Sequence, residues 1–142
     1  MHKYRTTISR VFVGLALLGI SAPGCGPSQV ANSPEVYDFG TFEEVAGLYR
    51  SATGMRKKPP TSLADLSRSR DNFMNGYQAI EKGDIIVIWG VTPLAEDSPT
   101  DEVLAYKSDV STKGGPVLLK NLTTKKMSAD EFNNAPKATG GK

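Results

Sequence analysis

The chain of 142 residues is nearly devoid of His and Cys, the side chains of most triad, thiol and zinc chemistry. It has one His, His2, and one Cys, Cys25, both in or beside an N-terminal apolar segment. The rest of the chain has neither. That excludes a His-based triad, a thiol nucleophile, an internal disulfide and a Cys/His zinc site in the folded part. Trp89 is the single Trp. A membrane-spanning helix needs ~20 consecutive apolar residues. The apolar run at 11–20 (VFVGLALLGI) has ten. The length suits one domain, at ~100–200 residues per domain.

What is present begins with a sorting signal. Residues 1–10 carry Lys3, Arg5 and Arg10 and no acid, the apolar run follows, and then Ser21, Ala22, Pro23, Gly24 and Cys25. This is the order of a secretory signal: basic, apolar, small. The stretch Ile20-Ser21-Ala22-Pro23-Gly24-Cys25 resembles a bacterial lipoprotein signal, with Ala22 where Leu is commonest. That resemblance implies a signal over 1–24 and a lipid on Cys25. The chain would then be exported and lipid-anchored, at a cell membrane or the periplasmic face of an outer membrane. An ordinary cleaved signal leaving a free thiol is the alternative. A lone thiol in an oxidising compartment is a liability, and a lipidated one is consumed.

Removal of 1–24 takes away three cations and no acid, leaving 14 Lys+Arg against 15 Asp+Glu. The sequence pI of 8.7 therefore reflects the leader. No basic balance remains to indicate nucleic-acid binding.

Residues 25–36, rich in Gly, Pro, Ser and Asn, predict a flexible tether. Residues 37–135 predict a small folded domain, and 136–142 a disordered tail. The spacing of Phe42, Val45, Leu48 and Tyr49 predicts a helix over 41–56. Thr41 and Glu44 form a capping-box pair at its start. Arg56, Lys57 and Lys58 complement its C-terminal dipole, and Pro59-Pro60 stops it. Short helices follow at 61–66 and 71–82, the second ending at Gly83. The continuous run 84–91 (DIIVIWGV) predicts a strand buried on both faces at the centre of a sheet. Further strands are predicted at 103–107, 117–120 and 122–127, with a turn over 109–115. A capping box, Ser128 to Glu131, opens a last helical turn that includes Phe132. Helices first and an antiparallel meander of three or four strands after them make an α+β fold.

Two stretches carry a resemblance. Pro59-Pro60-Thr61-Ser62-Leu63-Ala64-Asp65-Leu66, placed after a helix and before a sheet, resembles the soluble part of type II secretion pseudopilins. Val103-Leu104-Ala105-Tyr106, then Gly114-Gly115-Pro116-Val117-Leu118-Leu119-Lys120-Asn121-Leu122, resembles the closing hairpin of prepilin-like exported proteins. Asn121-Leu122 stands where that hairpin usually reads Asp-Gly. The chain is also similar to small bacterial lipoproteins. The resemblance implies a pilin-like helix-and-sheet fold and no particular activity. A short apolar run and Cys25 replace the long N-terminal helix through which pilins polymerise.

Four features are candidates for function. Glu96, Asp97, Asp101 and Glu102 flank a Pro-rich loop, and a hard cation such as Ca²⁺ takes several oxygen ligands from one loop. Their other reading is a solvated loop guarding a sheet edge. Arg56, Lys57, Lys58 and Arg50 could meet anionic headgroups, or simply complement the helix dipole. Trp89 and Tyr106 could line a pocket, or be core. Gly114-Gly115 sits between strands and reads as a turn rather than a phosphate loop. The acids could supply a carboxylate pair, but a domain this small leaves little room for a sugar cleft. The sequence thus predicts a non-catalytic interaction module, tethered to a membrane through Cys25 and meeting an unnamed protein partner, without nucleic acid or a required cofactor. The alternative is a periplasmic protein binding calcium or a small ligand at the 96–102 loop.

Overall fold

The structure is a computed structural model describing residues 34–140. The signal segment, Cys25 and the tether as far as residue 33 lie outside the described residues. No described helix is long and apolar enough to cross a membrane.

Helix α1 runs from Pro34 to Arg56. It starts seven residues ahead of the predicted Thr41, so 34–36 are helix rather than tether. Pro suits a first helical position, where its missing N–H costs nothing. Thr41 is therefore no cap: its hydroxyl donates to the Tyr37 carbonyl one turn back, at 2.9 Å. Phe42, Val45, Ala46, Leu48, Tyr49 and Ala52 form the buried stripe. The helix ends as Lys57 takes a positive φ of 55°, two residues before the Pro pair.

A 3-10 helix, Leu63–Asn72, follows. Asp65 closes its start by accepting from the N–H and hydroxyl of Thr61, at 2.7 and 2.9 Å. Helix α2, Met74–Lys82, stops at Gly83, whose φ of 79° is the left-handed cap predicted there. Gly76 lets α2 approach α1: a Cβ there would lie 2.9 Å from the Glu44 Cβ and the Val45 nitrogen. Glu44, freed of the expected capping role, ties the two helices. Its carboxylate accepts from the Asn75 amide at 2.8 Å and the Gly76 N–H at 2.9 Å.

Strands β1 (Ile85–Val87), β2 (Val103–Lys107), β3 (Gly115–Leu119) and β4 (Thr124–Met127) form an antiparallel meander in sequence order. A short helix α3, Val110–Lys113, occupies the turn between β2 and β3, and α4, Ala129–Asn134, closes the chain's last helical turn. The predicted capping box of α4 is present, with Ser128 and Glu131 satisfying each other's backbone N–H.

The sheet is covered on both faces. One holds Ile85, Val87, Ala105 and Leu118 against Phe42, Val45, Ala46 and Tyr49 of α1. The other holds Val103, Val117 and Leu119 with Val110, Met127 and Phe132. The Tyr106 and Phe132 rings stack there with centroids 4.9 Å apart.

Two expectations are corrected. The run 84–91 yields a three-residue strand at the edge of the sheet, not a long central one, with Ile86 exposed between buried Ile85 and Val87. The Tyr49 hydroxyl draws the chain out of the ladder beyond it, donating to the Val91 carbonyl at 2.8 Å and accepting from its N–H at 3.2 Å. The tail is ordered at least to Ala138. Register shifts between Val103 and Ala105, and Val103, paired with Leu119 of β3, also bridges Lys137 in parallel. Val103 N–H donates to the Pro136 carbonyl and Ala138 N–H to the Val103 carbonyl, both at 2.9 Å. Ala138 is buried.

Candidate functional site

The free edge of β1 and the groove beside it stand out. In an antiparallel ladder, alternate residues turn their backbone groups toward the neighbouring strand. Ile88 N–H donates to the Leu104 carbonyl and Ser108 N–H to the Asp84 carbonyl, and Ile86 lies opposite Tyr106. Asp84, Ile86 and Ile88 therefore face β2. The N–H and C=O of Ile85 and Val87 face outward. Beside them runs an open groove of about 370 Å³ between the start of the 3-10 helix, the end of α2 and the strand. Leu63, Ile80, Ile86 and Trp89 supply its apolar wall, Thr61 and Ser62 its polar lip, and no charged side chain lines it. Gly90 N–H donates to the Pro60 carbonyl at 2.8 Å, tying the chain after Trp89 to the residue before Thr61. Trp89 thus combines the two readings open to it, packing against the core and forming the groove wall.

Tyr49 fixes the end of this edge. Its hydroxyl is buried, and burial pushes its pKa up to about 12 against the lowering effect of the Val91 hydrogen bond.

A second concavity, about 340 Å³, lies between the first turns of α1, the end of α2 and the β2–α3 corner. Lys107 stands in its wall, with Nζ 2.7 Å from the Asp38 carboxylate. That hydrogen bond, with the charges of Asp38, Asp109 and Asp84, holds the ammonium pKa above its usual value, against the opposing effect of burial. Asp109 is held below the usual carboxylate range, chiefly by its bond to Lys113. Both groups keep their charges across neutral pH. The cleft contains a locked ion pair rather than a group poised to shuttle protons near pH 7.

The four loop acids do not converge. Glu96 meets Arg50 at 3.4 Å, Asp101 meets Lys125 at 2.9 Å, Glu102 meets Lys120 at 2.9 Å, and Asp97 is exposed. No group of three or more His, Cys, Asp or Glu among the described residues is placed to hold a metal ion. The basic patch is likewise divided: Arg56 pairs with Asp65 and Arg50 with Glu96, while Lys57 and Lys58 are exposed. Gly114 caps α3 and Gly115 opens β3, the predicted turn. Sequence reasoning missed the groove. Its only sequence signal is the pairing of Leu63 and Ile80 with an aromatic at Trp89, which reads equally well as core.

No protein-family model, no curated protein and no solved structure matches this chain.

Proposed function

We propose that this protein is an exported, lipid-anchored interaction module with a pilin-like helix-and-sheet domain, held to a membrane through Cys25. It acts by binding a protein partner rather than by catalysis. The observation that carries this reading is the β1 edge, with outward backbone groups beside an uncharged groove. A partner segment adding as a fifth strand would find donors and acceptors at Ile85 and Val87 and a pocket for alternate side chains. The order basic, apolar, small, Cys at 1–25 supports the anchor. One acyl chain binds a bilayer only marginally, so the anchor carries more than one.

Cross-linking in cells, followed by purification of the membrane-extracted protein and mass spectrometry, tests the module. A stoichiometric protein adduct is the expected result, and an adduct-free monomer overturns it. Cys25→Ala tests the anchor: the variant should leave the membrane fraction and lose the lipid mass. Unchanged fractionation and mass would refute it.

A further inference from the structure

Besides the β1 groove, the first turns of α1 carry an exposed apolar flank. Val36 is 44% and Tyr37 63% exposed. With Pro34 and Gly40 they border a shallow depression of about 510 Å³ against Asn75 of α2. The acids around it are occupied within the domain. Glu35 pairs with Lys126 at 2.6 Å, Asp38 with Lys107 at 2.7 Å, and Glu44 binds the Asn75 amide and the Gly76 N–H. The flank therefore presents an aromatic ring and aliphatic carbon, with Glu35 and Asp38 neutralised by lysines and the Glu44 carboxylate held by hydrogen bonds to α2, a combination that suits a membrane interface.

Where the chain enters the domain says what covers this flank. Cys25 precedes Pro34 by nine residues, which span at most ~30 Å when fully extended. A lipid on Cys25 keeps the start of α1 close to the bilayer. We propose that the α1 flank at Val36, Tyr37 and Gly40 is the surface that rests on the lipid headgroup region, with Tyr37 as its anchor. This rests on the lipid-anchor reading above. The basic residues Arg56, Lys57 and Lys58 lie at or just beyond the other end of α1, Arg56 being ~28 Å from Tyr37 at 1.5 Å per residue.

Two glycines of α1 provide a matched test. A Cβ added at Gly40 or at Gly54 meets nothing within 4 Å, and the sites are ~21 Å apart on nearly the same helical face. The lipidated protein, extracted from membranes with its mass confirming the lipid on Cys25, has no other thiol. Gly40→Cys and Gly54→Cys are each labelled with an environment-sensitive fluorophore and reconstituted on phosphatidylcholine vesicles. The Gly40 site should brighten roughly twofold or more and be quenched by headgroup-proximal spin-labelled lipid, with little change at Gly54. Tyr37→Ser should remove about half of that response. An equal response at both sites, a larger one at Gly54, or none at either with the lipid present overturns the docking surface and leaves the anchor standing. Absence of lipid on Cys25 overturns both.

Discussion

The two edges of the sheet are built in opposite ways. The β4 edge is guarded by charge: Lys125 pairs with Asp101, Lys126 with Glu35, and the Thr124 hydroxyl with Glu43. Lysines on an edge strand are a common device against unwanted strand pairing. Among the described residues the β1 edge has no such guard. Ile86 is 40% exposed at its centre, and the adjoining groove carries no charge. A sheet that closes one edge and leaves the other open has one place at which a further strand can add.

The comparison can be broken at several strengths. The largest effect is expected at the tie that ends β1. Tyr49→Phe leaves the backbone groups of Val91 unpaired in a buried setting and should cost about 1–3 kcal/mol of stability, read as a lower denaturant midpoint. The same tie makes the fold alkali-sensitive. The Tyr49 pKa is raised from 10.0 to about 12 in the folded state, so its contribution is fully present below pH 10 and is lost as pH rises toward 12. That loss amounts to ~3 kcal/mol by linkage and should be absent in Tyr49→Phe.

The next effect concerns the β3–β4 turn. Asn121 donates to the carbonyls of Glu96 and Ser98 and accepts from the Thr123 N–H and hydroxyl. Asn121→Ala should cost about 1–2 kcal/mol in thermal unfolding. Opening the guarded edge should barely touch stability, because both ion pairs are solvent-exposed. Lys125→Thr with Lys126→Val should instead produce concentration-dependent self-association in sedimentation. Guarding the open edge is also a mild change to the fold: Ile86→Lys should cost about 0.5 kcal/mol, a drop of ~2–4 °C in melting temperature, and abolish partner cross-linking.

What the sequence made legible was local. Ser128 and Glu131 cap α4, Gly83 ends α2, and Val103 to Lys107 is a strand with those bounds. Each signal lies within a few residues of the feature it specifies. The misreadings involved partners far away in the chain. The run at 84–91 has the composition of a central strand, but Tyr49, 42 residues away, captures Val91. Ala138 sits in a polar, Gly-rich stretch, and the backbone pairing with Val103 that orders it does not depend on side-chain type. The loop acids were read as a cluster because they are neighbours in sequence. In space, Arg50, Lys125 and Lys120 draw three of them apart. Leu122 has a φ of 62°, in the left-handed region that favours Gly. That conformation costs a non-Gly residue ~1 kcal/mol or more, and burial of the side chain in the α1-facing core offsets it.

The most direct test places a photo-activatable cross-linking residue at Ile86 on the open edge, and separately at Lys126 on the guarded one, in cells. The account predicts a discrete protein adduct from position 86 and none from position 126. Equal adducts at both positions, or none at 86, would contradict it.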